Sequence, residues 1–317
     1  MATSGSVDFS VTRNQIITAA AAEIGVIAQG ETPDANMISD FALRLNSWVK
    51  SLMARGAKLW AMKQATLFLE VGESTYSLGS TGDHCTNTYV QTTLSTDEAI
   101  SSTSLSLTST TGMSASDNIG IVLDDGTIHW TTISGAPGAP TTIATGLASA
   151  ATSGNAVFTY TSKITRPQRL DVDAANWHSL AGNDTTVRIV SREEYTRHTN
   201  KTTQGKIVEA FYNPQLVNGI LKVWPTPDNA TDVLQFWYER ILEDFDASTD
   251  TPDFAIEWAE ALILGLAAKM APSYWGSGHS LAEKQELKDR ADEALIIAMG
   301  YDKENTSVFF QPDVAWR

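Results

Sequence analysis

Apolar residues recur along the chain with two periods, and the switch between them divides it. From about residue 11 to 60 the spacing is helical. Ile16, Ile17, Ala20, Ala21, Ile24 and Ile27 fit one helix face, with Thr12 as the N-cap and Gly25 and Gly30 weakening the far end. A second helix opens at "TPDANM", where Thr32 is the expected cap and Pro33 suits the first turn. Its stripe is Met37, Phe41, Leu45, Trp48 and Leu52, and Gly56 ends it after about five turns.

Helical spacing returns from about 251 to 300. In "TPDFAIEWAEALILGLAAKMA", Thr251 is the expected cap, Pro252 the first turn, and Asp253 and Glu257 favour the positive end of the helix dipole. Ile256, Ile263, Leu266 and Met270 line one side, with Trp258 and Leu262 adjoining, so this helix has the widest apolar girth and the deepest predicted burial. The last helix opens with a capping box, Ser280 and Glu283, carries Leu287, Ala291, Ala294, Leu295 and Ala298, and is closed by Gly300. Neither terminal pair of helices can bury its stripes alone. A single four-helix bundle built from both chain ends is the simplest solution.

Between them, from about 65 to 250, the period is two and turn residues are frequent. "ATLFLEVGESTYSLG" reads as two strands around Gly72. "NIGIVLDDGTIHWTTI" reads as a hairpin whose two-residue turn is Asp125-Gly126. "GILKVWPTP" and "VLQFWYERI" read as a second antiparallel pair, and "RLDVDAANW" and "SREEYTRHT" as short helical turns. The stretch 86–160 is rich in Thr, Ser and Ala and nearly free of Lys and Arg. Its hairpin and its apolar Leu105, Leu107, Ile119 and Phe158 predict a folded β module rather than a linker. The expected fold class is therefore α+β: a four-helix bundle from both chain ends, with an antiparallel β domain between them carrying an inserted small β module. The expected boundaries are 1–64 with 251–300 for the bundle, 65–85 with 161–250 for the β domain, 86–160 for the insert, and 301–317 for an extended C-terminal tail.

Charge narrows the function. The formal net charge of −15 argues against a protein built to grip nucleic acid, because phosphate binding needs a surplus of Lys and Arg. It suits a lumen through which DNA moves without adhering, and it equally suits plain solubility. The single cysteine, Cys85, excludes an intrachain disulfide. Cys85 and His84 find no second pair at ligand spacing, so no metal is expected. The N-terminus has neither a basic nor an apolar signal region, and no apolar run approaches the ~18 residues of a membrane span. The chain is expected to be intracellular or assembled in a cytoplasm.

Catalytic constellations are missing from the sequence. Gly205-Lys206 lacks the rest of a phosphate loop, no G-x-S-x-G occurs, and the five histidines are scattered. Asp124 and Asp125 fall in a turn, where Asp is expected for conformational reasons, and "SREEY" reads as a solvated helix start. No catalytic, cofactor or metal residues are predicted. Two other classes stay in view: a cell-wall-degrading tail component, marked by a cleft with a perturbed carboxylate, and a carbohydrate-binding β protein, marked by a tryptophan-lined groove and a monomeric state. Of the nine tryptophans, Trp48, Trp237 and Trp258 sit in periodic runs and are expected in the core. Trp60, Trp275 and Trp316 lie outside such runs and are interface candidates.

The chain ends "NTSVFFQPDVAWR", an aromatic strip on an acidic protein. Such a strip either folds back on its own helices or binds a partner. Val308, Phe309, Phe310, Val314 and Trp316 each suit a pocket, Pro312 keeps the strand extended, and Tyr301 leads into them. These seven residues are the predicted partner-binding site.

The opening "TRNQIITAAAAEIGVIAQGETPDANMISDFALRLNSWVKSLMARGAKLW" resembles the N-terminal helical hairpin of head-to-tail adaptor proteins of short-tailed phages of the P22 type. These are also known as head-completion, packaged-DNA-stabilisation or tail accessory factor proteins. "FLEVGESTYSLG", "ITRPQRL", "SREEY", "FYNPQLVNGILKVWPTP" and "VLQFWYERILEDFDASTDTPDFAIEWAEALILGLAAKMAPSYW" follow in the same order. The resemblance spans nearly the whole chain, and 86–160 departs from the shortest members. It implies a structural protein without cofactor, in a homo-oligomeric ring, usually a dodecamer, docked under the portal protein at the head–tail junction of the virion. Such a ring continues the DNA channel, binds no specific sequence, touches no membrane, and offers a platform to tail nozzle or tail fibre proteins. It also implies that the C-terminal segment lies against the portal.

Overall fold

A computed structural model describes residues 5, 6, 8–28, 30–56, 61–171, 184–275 and 279–301, and the backbone of 176–178. In chain order the helices are α1 (Arg13–Glu23), α2 (Ala35–Arg55), α3 (Arg192–Arg197), α4 (Ala259–Tyr274) and α5 (Leu281–Tyr301). The strands begin with β1 (Met62–Phe68), β2 (Thr75–Leu78), β3 (Cys85–Thr86), β4 (Val90–Thr93), β5 (Ser104–Leu105), β6 (Asn118–Val122), β7 (Ile128–Thr132), β8 (Thr141–Thr142) and β9 (Ala156–Tyr160). They continue with β10 (Arg169–Leu170), β11 (Asn176–His178), β12 (Asp184–Thr186), β13 (Arg188–Ile189), β14 (Glu209–Asn213), β15 (Gly219–Trp224) and β16 (Val233–Glu239). The chain divides into two compact units, Met1–Ala61 with Leu242–Arg317, and Met62–Ile241.

In the helical unit, α4 contacts α1, α2 and α5, and its two faces are almost equally apolar. Ile16, Ile17, Ala20 and Ala21 of α1 are buried, as are Phe41, Leu45, Trp48, Val49 and Leu52 of α2. Thr12 caps α1 in a reciprocal box with Gln15. Two helix starts differ from the sequence reading. Asp34, not Thr32, caps α2, its carboxylate accepting from Met37 N at 2.8 Å, so Pro33 precedes the helix. Thr251 and Pro252 do not open α4. Asp253 instead accepts from Glu243 N at 3.1 Å, holding this stretch as a loop, and a 3-10 turn over Ile256–Trp258 leads into α4. Gly56 does end α2, at φ 101°. Gly300 is helical, and α5 runs on to Tyr301.

In the β unit, one sheet has the order β12-β11-β16-β1-β3, with β10 also on β16, and β1 pairs β16 in register from Met62↔Glu239 to Phe68↔Val233. A second sheet has the order β13-β14-β15-β2. "GILKVWPTP" and "VLQFWYERI" thus belong to different sheets rather than to one hairpin. The reason lies in the connection: Thr226 N donates to Thr203 O and Gly205 N to Thr226 O, both at 2.9 Å, so the loop is held by 203–205 instead of closing on itself. Leu67, Tyr76, Leu78, Leu221, Val223, Leu234, Phe236 and Tyr238 share one core. Trp237 falls on the opposite phase of β16 and is 40% exposed, which corrects its placement in the core.

Residues 86–160 supply a third sheet, β4-β9-β6-β7, and the pair β5-β8. Period-two alternation gives this sheet two buried faces. Ile119, Ile121 and Val157 join Leu94, Leu105, Leu123, Ile133 and Ile143 in one cluster. Val122, Ala156, Phe158 and Tyr160 turn the other way, onto Phe68, Ala230 and Val233. Between β6 and β7 the turn closed by Leu123 and Thr127 has three residues, Asp124 to Gly126, rather than the two expected. Leu123 N donates to Thr127 O, Gly126 N donates to Leu123 O, and Gly126 sits at φ 84°.

Candidate assembly surface

The helix that leads into the predicted tail is α5. Its start is fixed by the Ser280–Glu283 box: Ser280 N donates to Glu283 Oε2 at 2.7 Å, and Glu283 N to Ser280 Oγ at 3.2 Å. These hydrogen bonds hold the Glu283 carboxyl below the usual carboxylate range. Leu287, Ala291, Leu295 and Ala298 are buried, at steps of four, four and three. Beyond that stripe the last turns expose Ile296 (70%), Ile297 (57%) and Tyr301 (66%). Ile297 and Tyr301 are four apart and share one face, with Ile296 beside them. Two large aliphatic side chains and a tyrosine together in water are costly by the area rule, about 25 cal/mol per Å². These three side chains form the candidate contact surface of the helical unit.

Of the seven predicted partner-binding residues, Tyr301 is described and is exposed. Val308, Phe309, Phe310, Pro312, Val314 and Trp316 lie outside the described residues. Sequence reasoning singled out the tail and missed Ile296 and Ile297. The signal for them was present: both fall off the Leu287, Ala291, Leu295, Ala298 stripe. Among the tryptophan interface candidates, Trp275 is buried, with Nε1 donating to Ile24 O at 2.6 Å and the ring stacked on His279 at 4.4 Å. It is a structural residue, contrary to expectation. Trp60 and Trp316 lie outside the described residues.

The residues that raised chemical alternatives have local explanations. Cys85 is buried, and burial pushes its thiol well above the usual range, so it is a poor nucleophile or ligand. His84 stacks on Trp130 at 3.8 Å and shares a 2.5 Å hydrogen bond between Nδ1 and the Tyr160 hydroxyl. Burial, and then the Lys163 charge, pull its imidazole down to about 3. Asp124 accepts from Thr152 N and Asn155 Nδ2, and Asp125 from Thr127 N and Oγ1. Both carboxyls are held low by these bonds, the opposite of a pair sharing a proton. "SREEY" is the capping box of α3, Ser191 with Glu194. Glu70 is raised by burial and then by Asp83 and Glu73, but it lies in a turn, its backbone bonded to the Tyr76 hydroxyl. Among the described residues, no group of three His, Cys, Asp or Glu is placed to hold a metal ion, and no helix is long and apolar enough to cross a membrane.

The titratable groups named above have local structural partners, and α5 ends in exposed apolar side chains. Comparison with protein families gives the class a name. The family model of the SU10 adaptor protein matches residues 130–308, more than half of the chain, and the chain belongs to that family. The family is one of structural phage adaptors, which makes this chain a virion component. The match is to phage adaptors generally and not to the short-tailed P22 type in particular. A comparison with curated proteins returns no match.

Proposed function

We propose that the chain is the head-to-tail adaptor of its virion: a ring beneath the portal that extends and seals the DNA channel and carries tail proteins. The observation that carries this reading is the end of α5, where Ile296, Ile297 and Tyr301 stand exposed immediately before the aromatic tail. Membership of an adaptor family supports it.

In this reading α1, α2, α4 and α5 form a four-helix body, and the C-terminal strip with Val308, Phe309, Phe310, Pro312, Val314 and Trp316 ties each copy to the portal. The ring is a dodecamer of the P22 kind, assembled in the host cytoplasm. The net charge of −15 keeps passing DNA from adhering. The insert 86–160 serves tail nozzle or fibre proteins. Electron microscopy of the chain bound to portal rings tests this. The expected image is a closed ring coaxial with the portal. Subunits scattered on the portal exterior, or none bound, would contradict it.

A further inference from the structure

In a chain this acidic, one cationic cluster has no carboxylate partner. Lys269 Nζ of α4 lies 4.4 Å from the centroid of the Trp48 ring, and Arg55 Cζ of α2 lies 5.2 Å from it. Arg44 is one helical turn before Trp48 on α2. Among the described residues none of these three heads has an ion pair or a hydrogen bond. Arg55 and Arg44 add to burial in pulling the Lys269 ammonium below its usual range. Lys269 and Arg55 share one indole, Arg44 acts on Lys269 from the same helix as Arg55, and the three like charges repel each other. Cation–aromatic contact offsets part of that cost, and an incoming anion would offset the rest.

An anionic counterpart lies on the same unit. The loop 243–253, "EDFDASTDTPD", has five carboxylates and no Lys or Arg. It walls a concavity of about 460 Å³ lined by Glu243, Asp244, Asp246, Asp250 and Asp253 among others. Asp244 is paired with Lys50 at 2.9 Å, Asp250 accepts from Asp246 N and Ala247 N, and Asp253 accepts from Glu243 N. The carboxylates of Glu243 and Asp246 have no partner among the described residues.

The placement of the two around α2 decides who can meet whom. Asn46, Lys50 and Met53 hold the acidic segment: Phe245 N donates to Asn46 Oδ1 at 2.9 Å, Lys50 reaches Leu242 O, and Leu242 N donates to Met53 Sδ at 3.4 Å. At 3.6 residues per turn, Arg44, Trp48 and Arg55 lie about 170° further round the helix. Cations and carboxylates therefore occupy opposite flanks of α2, and one copy cannot satisfy its own. Two complementary patches on opposite flanks make a head-to-tail contact, which gives a ring where the rotation between copies closes.

We infer that Arg44, Arg55 and Lys269 of one copy seat on the Glu243–Asp253 loop of the next. This rests on the ring reading above and names the surfaces that form it. The test uses the full chain, both free in solution by sedimentation velocity and on purified portal rings. One variant is Arg44→Glu/Arg55→Glu/Lys269→Glu, the other Glu243→Lys/Asp246→Lys, and a third combines both sets. Each reversed set alone is expected to weaken self-association about tenfold or more, more steeply at low salt. An equimolar mixture of the two, and the combined chain, are expected to recover it to within about threefold, since opposite charges meet again at each contact. Recovery also shows that the reversed chains are folded.

A mixture as weak as its components overturns this pairing while leaving the ring standing. Wild-type chain that associates neither free nor on portal rings overturns both. A short DNA duplex that binds wild type, and is lost from the cation-reversed variant while self-association is unchanged, would make the cluster a phosphate contact and also overturn the pairing.

Discussion

Trp48 lies across Gly265: a Cβ added at 265 would meet the indole Nε1 at 2.6 Å. Two effects compete in Gly265→Ala. Helix propensity favours alanine by about 1 kcal/mol, whereas overpacking a filled core costs about 1–3 kcal/mol. The neighbour here is a rigid ring that is itself buried, so it cannot step aside. The variant should be less stable by about 1 kcal/mol or more in denaturant unfolding. A gain in stability would show that Trp48 does not rest on α4.

His84 makes stability depend on pH in a defined window. Its folded value, about 3, is below the unfolded value near 6.5, so the unfolded chain takes up the proton first as pH falls. The stability this histidine contributes is present above about 6.5 and is lost progressively towards about 3. Carboxylates held low, such as Glu194, add their own loss only at lower pH. His84→Phe keeps an aromatic ring against Trp130 and removes the titration. Between pH 6.5 and 5 the thermal midpoint of wild type should fall, and that of the variant should fall less. Parallel curves would contradict the account of His84.

Gly126 sits at φ 84° in the β6–β7 turn. A Cβ there meets nothing, so the cost of Gly126→Ala is conformational alone, about 1–2 kcal/mol. Equilibrium unfolding measures it. No change would mean that the turn relaxes into another form.

Ile296→Glu/Ile297→Glu separates folding from assembly. Both side chains project from α5 into solvent, so stability should stay within about 0.5 kcal/mol of wild type. Portal binding should weaken about tenfold or more if this face is a contact. A large drop in the thermal midpoint would instead place the pair in the subunit's own core.

Much of the local structure was legible because it is written at short range. The stripes of α2 and α5, the capping box at Ser280, the helix start at Ser191, and the place though not the length of the Asp-Gly turn all depend on residues close to each other in the chain. What was not legible depends on distant partners. Leu221 and Leu234 sit in strands of the same alternation, and nothing local says that they belong to different sheets. Trp275 looked free because its neighbour is Ile24, 251 positions away. Trp237 looked buried because its run is apolar, and only the phase of β16 turns it outward. The candidate surface was half visible: the tail is aromatic in plain sequence, whereas Ile296 and Ile297 become significant only once Leu295 and Ala298 are seen to be buried. The cation cluster was invisible, since Lys269 lies more than 200 positions from Arg44, Trp48 and Arg55.

The central claim is that the segment after α5 binds the portal. The most direct measurement compares the full chain with one ending at Tyr301 for binding to purified portal rings. Among the described residues the buried stripe of α5 ends at Ala298, and the thermal midpoint of the shortened chain, measured alongside, separates lost binding from lost folding. Loss of about tenfold or more in affinity is the predicted result. Equal binding by the two chains would contradict it.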